Sequence, residues 1–188
     1  MPDRIPPTRR PTRAELEAAA DLTVPDVIAP GLRVLFCGIN PGLYTAAIGH
    51  HFGRPGNRFW PTLHRAGITP RLFSPYDEQE LLPLGYGITN IVARATATAD
   101  QLRPEELVAG GKTLRARVKR YQPRCLAVLG VTAYRGAFGQ PKAALGPQPE
   151  RMGDALVWVL PNPSGLNAHF DLPKLAALFR EMAEAVAS

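Results

Sequence analysis

Arg33-Val34-Leu35-Phe36-Cys37-Gly38 runs without a break into Ile39-Asn40-Pro41-Gly42, and the reading of the fold turns on this stretch. Val34 to Cys37 are apolar without alternation, the pattern of a strand buried on both faces. The residues that follow are Gly, Asn and Pro, which break the strand and set a constrained turn. Working outward, the same pattern recurs at Arg124–Gly130 and Ala155–Leu160, with a further strand expected at Gly87–Val92. Helical signals lie between the strands. Asn57–Ala66 suits a helix with Pro61 in its first turn or at a kink. Pro104–Tyr121 opens on a proline and repeats Leu107, Leu114, Val118 and Tyr121 on one face. A helix is expected over 131–138, and another over Leu172–Val186 with Leu175, Phe179, Met182 and Val186 aligned. Buried strands alternating with helices predict an α/β fold whose central sheet is mostly parallel and covered on both faces.

In such sheets, ligands bind outside the carboxyl ends of the strands. Two of the strands lead into loops dense in Gly, Pro and Asn. One is Gly38–Gly42; the other is Pro161-Asn162-Pro163-Ser164-Gly165-Leu166-Asn167. A plain turn needs fewer constraints, so these loops are the expected functional region.

Composition narrows the function classes. The 188 residues suit one compact domain. Lys and Arg outnumber Asp and Glu by 22 to 16, and an excess of +6 favours nucleic acid over an anionic membrane as partner. No apolar run is long enough for a membrane span, and the first residues lack a secretory h-region. Cys37 and Cys125 are too few for an iron–sulfur or zinc cage, and a cytoplasmic setting is expected. No metal spacing links His50, His51, His64 and His169. Gly111-Lys112-Thr113 resembles the end of a phosphate loop, but Glu106 stands where its first glycine belongs. Gly85-Tyr86-Gly87 lacks the third glycine of a dinucleotide fingerprint, because Asn90 occupies that position. Ser164 is preceded by Asn162 rather than by the glycine of a nucleophile elbow. Neither loop carries a carboxylate pair. The expected site is therefore polar and mostly neutral, suited to positioning a water and stabilising a leaving anion.

Residues 1–25 read as a basic Pro/Arg-rich arm, partly disordered, and 26–188 as a single catalytic domain. Within the arm, Thr12 and Glu15 have capping-box spacing ahead of a short helix over 13–21. Arg54, Arg58 and Lys142 are candidate phosphate contacts by charge, each with an ordinary surface or structural role as the alternative.

Three motifs in order resemble the mismatch-specific uracil-DNA glycosylases, the bacterial relatives of thymine-DNA glycosylase within the uracil-DNA glycosylase superfamily. They are Gly38-Ile39-Asn40-Pro41-Gly42, His51-Phe52-Gly53-Arg54-Pro55-Gly56-Asn57-Arg58-Phe59-Trp60, and Asn162-Pro163-Ser164-Gly165-Leu166. The likeness runs from about Ile28 to Phe179. It implies a three-layer α/β/α fold and hydrolysis of the N-glycosidic bond of uracil, at G:U mismatches above all. It implies double-stranded DNA as partner, no cofactor, no metal, no membrane and a monomer. It implies a bacterial cytoplasm, with the protein on the nucleoid through its activity. A base inside a duplex is out of reach, so it must be flipped into a pocket.

The resemblance also implies residue roles. Asn40 would position the attacking water. Phe52 would stack on the flipped base, with the backbone at Ile39 and Phe52 on its polar edge and Gly38, Asn90 and Asn162 around it. Tyr44 would lie near the pyrimidine 5-position. Ser164, Gly165, Leu166 and Asn167 would form the wedge, with Leu166 filling the vacated space in the helix. One position departs from the pattern. Relatives usually carry an acidic residue between the valine and arginine of Ile91-Val92-Ala93-Arg94, and here it is Ala93. A carboxylate there would order a water, pair with Arg94 or stabilise a cationic sugar. On that account Ala93→Asp is expected to raise turnover at least tenfold. The loss also motivates an alternative: a module that binds mismatched or abasic DNA without cleaving it. A hydrolase of small nucleotides is a further reading, and it has no use for Leu166.

Overall fold

The computed structural model describes residues 8–187. Five strands form one sheet: β1 (Val34–Gly38), β2 (Tyr86–Asn90), β3 (Cys125–Leu129), β4 (Gly146–Pro147) and β5 (Leu156–Leu160), in the order β2-β1-β3-β5-β4. β2, β1, β3 and β5 are mutually parallel; β4 pairs antiparallel with β5 at the edge. Six α-helices accompany them: α1 (Arg13–Ala18), α2 (Leu43–Ile48), α3 (Phe59–Arg65), α4 (Pro104–Tyr121), α5 (Val131–Phe138) and α6 (Leu172–Ala187).

The layering follows from side-chain alternation within strands that are apolar throughout. Val34 and Phe36 of β1, with Cys125, Ala127 and Leu129 of β3, face one core, closed by Phe59 and Leu63 of α3 and by Leu175, Phe179 and Met182 of α6. Leu35 and Cys37, with Leu126 and Val128, face the other, closed by Leu114 and Val118 of α4 and by Ala133 and Tyr134 of α5. The result is the three-layer α/β/α sandwich expected. Cys37 and Cys125 point to opposite faces, both fully buried, and burial pushes the Cys37 thiol up and that of Cys125 up to about 12. Neither has thiolate character.

Some boundaries differ from the expectations. Thr12 and Glu15 do close a capping box, but α1 stops at Ala18, and Asp21 sits beyond it with left-handed backbone (φ 63°). Ala19 and Val24 then bury against Ala46 and Ala95. Residues 1–7 of the expected arm lie outside the described residues. α3 begins at Phe59, whose N–H donates to Asn57 Oδ1 at 2.9 Å, and Pro61 falls in the first turn. Pro104–Tyr121 and 131–138 are helical over the expected spans. Four elements are additional: α2, a 3-10 helix over Pro75–Leu84, a second 3-10 helix over Ala99–Gln101, and β4. Gly111-Lys112-Thr113 lies in the middle of α4, so it cradles no phosphate. Among the described residues no helix is long and apolar enough to cross a membrane, and no group of three or more His, Cys, Asp or Glu side chains is placed to hold a metal ion.

Candidate functional site

Because β1, β2, β3 and β5 are parallel, their carboxyl ends share one edge. Gly38 to Gly42 after β1, Asn90 ending β2, Leu129 ending β3 and Asn162 beyond β5 line a single cleft of about 160 Å³. Phe52, Arg54 and Asn57 close it from the α2–α3 connection, and Thr96 to Ala99 from the segment after β2. The loop after β1 is zipped to that segment. Ile91 N–H donates to Gly38 O at 2.9 Å, Val92 N–H to Ile39 O at 3.0 Å and Thr96 N–H to Pro41 O at 3.1 Å.

This zipper fixes Asn40. Its Nδ2 donates to Arg94 O at 3.0 Å and to Thr96 Oγ1 at 2.8 Å. Arg94 O can only accept. The Thr96 hydroxyl spends its proton on Thr98 O at 2.8 Å, so it too must accept from Asn40. Both Nδ2 protons are therefore committed, and Oδ1 is the acceptor left to the cleft. Thr96 is 5% exposed and has no place in the sequence reading; nothing local in the sequence marks it as the orienting partner of a residue 56 positions away.

Phe52 has left-handed backbone (φ 52°), a conformation that costs a phenylalanine about 1–3 kcal/mol. Its flanks hold it there. His51 N–H donates to Glu78 Oε2 at 2.8 Å, Trp60 Nε1 to His51 O at 3.2 Å and Gly53 N–H to Thr45 Oγ1 at 3.0 Å. The Phe52 N–H itself has no partner among the described residues. One face of the ring stacks on Phe59, centroids 4.0 Å apart at 23°, and the ring also lines the cleft.

Gly38 sits opposite Asn90 in the β1–β2 register, and a Cβ there would lie 2.6 Å from Asn90 Oδ1. A side chain at position 38 would therefore displace the Asn90 amide. Asn90 Nδ2 lies 3.5 Å from His51 Nδ1, while His51 Nε2 donates to Pro25 O at 2.8 Å, which leaves Nδ1 as the acceptor. Behind β2, Arg117 bonds Asp26 (3.0 Å), Thr89 Oγ1 (2.8 Å) and Asn90 O (3.4 Å).

Leu166 is 74% exposed at the tip of a loop that is otherwise stitched together. Ser164 N–H donates to Asn162 Oδ1 at 2.9 Å, Leu166 N–H to Ser164 Oγ at 3.3 Å and Asn167 Nδ2 to Asn162 O at 3.1 Å. The Arg58 guanidinium donates to Ser164 O at 2.6 Å, to Asn167 O at 2.7 Å and to Phe170 O, while Arg58 N–H donates to Pro163 O at 2.9 Å. A Cβ on Gly165 would meet Gly56 O at 2.6 Å, so the loop also abuts the turn before α3. Arg58 is thus the clamp of the leucine loop, a structural role that charge alone does not reveal.

The structure brings together Gly38, Ile39, Asn40, Phe52, Asn90, Asn162 and Ser164 on the cleft, with Gly165 and Leu166 on an adjoining cavity. Asn162 and Asn167 spend part of their amides within the loop. Tyr44 does not line the cleft, and Thr45 lines it instead; burial, with Tyr44 adding to it, raises the phenol pKa of Tyr76. Ala93 is exposed and lines a different depression with Asp26, Glu106 and Arg117. Lys142 lies in a third, beside Tyr134 and Glu150. No Asp or Glu lines the cleft.

The sequence model of the Uracil DNA glycosylase superfamily matches residues 25–187. Among solved structures, the chain is similar to that of a candidate uracil DNA glycosylase from Methanosarcina acetivorans. The two share 20% identity and superpose with a TM-score of 0.55, over 86% of this chain and 98% of that one.

Proposed function

The chain belongs to the Uracil DNA glycosylase superfamily, and from that premise we propose that it hydrolyses the N-glycosidic bond of uracil in double-stranded DNA, at G:U mismatches above all, leaving an abasic site. The observation that carries this reading is a juxtaposition. A cleft without a carboxylate, holding a fixed amide acceptor and an aromatic face, adjoins a rigid loop that exposes one leucine.

Each part has a use. Phe52, braced by Phe59, offers a platform for a flipped pyrimidine, and its unpartnered N–H is a donor for the pyrimidine edge. Leu166 fills the gap in the duplex, offsetting a few kcal/mol of unstacking. The C1′–N1 bond breaks with its electron pair staying on the base, giving a uracil anion and an oxocarbenium-like sugar. Backbone and amide N–H groups at the base edge stabilise the anion. Asn40 Oδ1 accepts one hydrogen of a water, which turns a lone pair of the water oxygen toward C1′. The new C1′–O bond forms, and the surplus proton leaves with bulk water. A neutral amide is sufficient, because an oxocarbenium needs an oriented water more than a strong base.

The non-cleaving alternative rests on the missing acid at Ala93. Ala93 lines a separate depression that shares only Asn90 with the cleft, which favours the cleaving reading. Single-turnover assays on duplexes that differ only in the lesion and opposite base test the proposal, with alkali revealing abasic sites. Strand breakage at uracil supports it; a gel shift without breakage refutes it. Leu166→Ala should slow excision from duplex about tenfold or more (about 1.4 kcal/mol) while sparing single-stranded uracil. A small-nucleotide hydrolase would not respond to this substitution.

A further inference from the structure

The base cleft and the cavity beneath Leu166 are adjoining hollows that share three residues, Arg54, Asn57 and Ser164. Arg54 and Asn57 bracket the turn Arg54-Pro55-Gly56-Asn57, in which Asn57 N–H donates to Arg54 O at 3.0 Å and Gly56 has φ +85°. Proline second and a positive-φ glycine third make this a type II turn, so Arg54 stands on a stiff base. Arg54 is exposed, its side chain has no hydrogen bond or ion pair among the described residues, and neither hollow is lined by a carboxylate that would neutralise it. The Asn57 amide oxygen is spent on Phe59 N–H, which leaves its Nδ2 as a free donor. The other candidate cations differ: Arg58 is consumed by three loop carbonyls, and Lys142 sits in a separate depression beside Glu150.

We propose that Arg54, supported by the Asn57 amide, is the seat of a backbone phosphodiester of the DNA strand that carries the extruded nucleotide. This rests on the base-flipping reading above and adds the ligand of a residue that reading leaves unused. If the base occupies one hollow and Leu166 fills the helix above the other, the sugar–phosphate run joining them crosses the ridge between the hollows. An unpaired guanidinium on that ridge meets the phosphodiester, and its fork matches two phosphate oxygens.

The test is the salt dependence of duplex binding, measured by fluorescence anisotropy on the full chain. Each phosphate contact contributes about 0.9 to the slope of log K against log salt. Arg54→Gln is expected to flatten the slope by about one, Arg54→Lys to keep it, and Lys142→Gln to leave it unchanged. A methylphosphonate placed at each phosphodiester flanking the uridine in turn locates the contact. At one of them, neutralisation weakens the unaltered chain but has no further effect on Arg54→Gln. An unchanged slope in Arg54→Gln, a slope lost equally in Lys142→Gln, or additive losses at both flanking positions overturns the assignment. Uracil excision by the unaltered chain, read in the same samples, tests the base-release reading separately, since the slope comparison requires only duplex binding.

Discussion

Replacing Thr96 by valine tests whether the Asn40 amide is held by design of the loop zipper. Valine keeps the shape of threonine and removes only the hydroxyl. In the folded chain that hydroxyl links Asn40 Nδ2 (2.8 Å) to Thr98 O (2.8 Å) inside a site 5% exposed. Without it, one Nδ2 proton has no acceptor, and an unsatisfied buried donor costs about 1–3 kcal/mol. The amide can recover part of this by rotating Nδ2 toward the cleft, which replaces the acceptor for water by a donor. If the cost passes wholly into the barrier, single-turnover excision slows by about 5- to 150-fold at about 1.4 kcal/mol per decade. Affinity for a uracil duplex should hold, because Thr96 supports the water and not the base. Thr96→Ser, which keeps the hydroxyl, should recover most of the rate. The measurement is a single-turnover time course beside an anisotropy titration for Thr96→Val, Thr96→Ser and the unaltered chain. Equal rates for all three would falsify the orienting role, as would a valine variant that loses affinity and not rate.

Three further outcomes follow from the same geometry. Arg58→Met should leave the carbonyls of Asn167 and Phe170 without their guanidinium donor, and Ser164 O with only the Asn167 N–H, at a cost of about 2–4 kcal/mol, read as a lower urea midpoint with faster proteolysis at 164–170; normal protease resistance there would contradict the clamp. The Arg94 guanidinium, with the Arg103 N–H behind it, lowers the Glu106 carboxyl from 4.5 to about 2. A lowered carboxyl adds stability above its ordinary pKa and loses it as pH falls from about 4.5 toward 2, so Glu106→Gln should make that stretch of the stability curve shallower, and an unaltered acid limb would count against the pair. Ala93→Asp should change excision by no more than about twofold, the equivalent of about 0.5 kcal/mol for a surface substitution, because its side chain lies outside the cleft. A tenfold gain would place position 93 in the mechanism, as the family resemblance implies.

Much of the architecture is written in near neighbours. Four apolar residues in a row at Val34–Cys37 demand cover on two sides, whatever the rest of the chain does, and that is enough for a layered sheet. Proline at 104 and the repeat from Leu107 to Tyr121 set α4 to the residue. The Gly, Asn and Pro residues after β1 and β5 pointed to the cleft because strand ends tolerate such loops only where backbone must be exposed. The missed elements carry weak local signals: α2 has six residues, β4 has two, the 3-10 helix Ala99–Gln101 has three, and the one over Pro75–Leu84 holds prolines near both ends.

The roles within the cleft are of another kind. Thr96 meets Asn40 across 56 positions and Arg58 meets Ser164 across 106. No periodicity spans such separations; the meetings exist because the order β2-β1-β3-β5 brings four strand ends to one edge. The same packing left Tyr44 off the cleft, placed Ala93 in a depression with Glu106 and set Arg54 on the lining of both hollows. Composition and pattern thus specify which segments are strand, helix and loop, since burial and backbone preference act over a few residues. Which side chain orients, clamps or contacts another is a property of the packed sheet, since hydrogen bonds reach only about 3 Å and distant segments meet at that range only after folding.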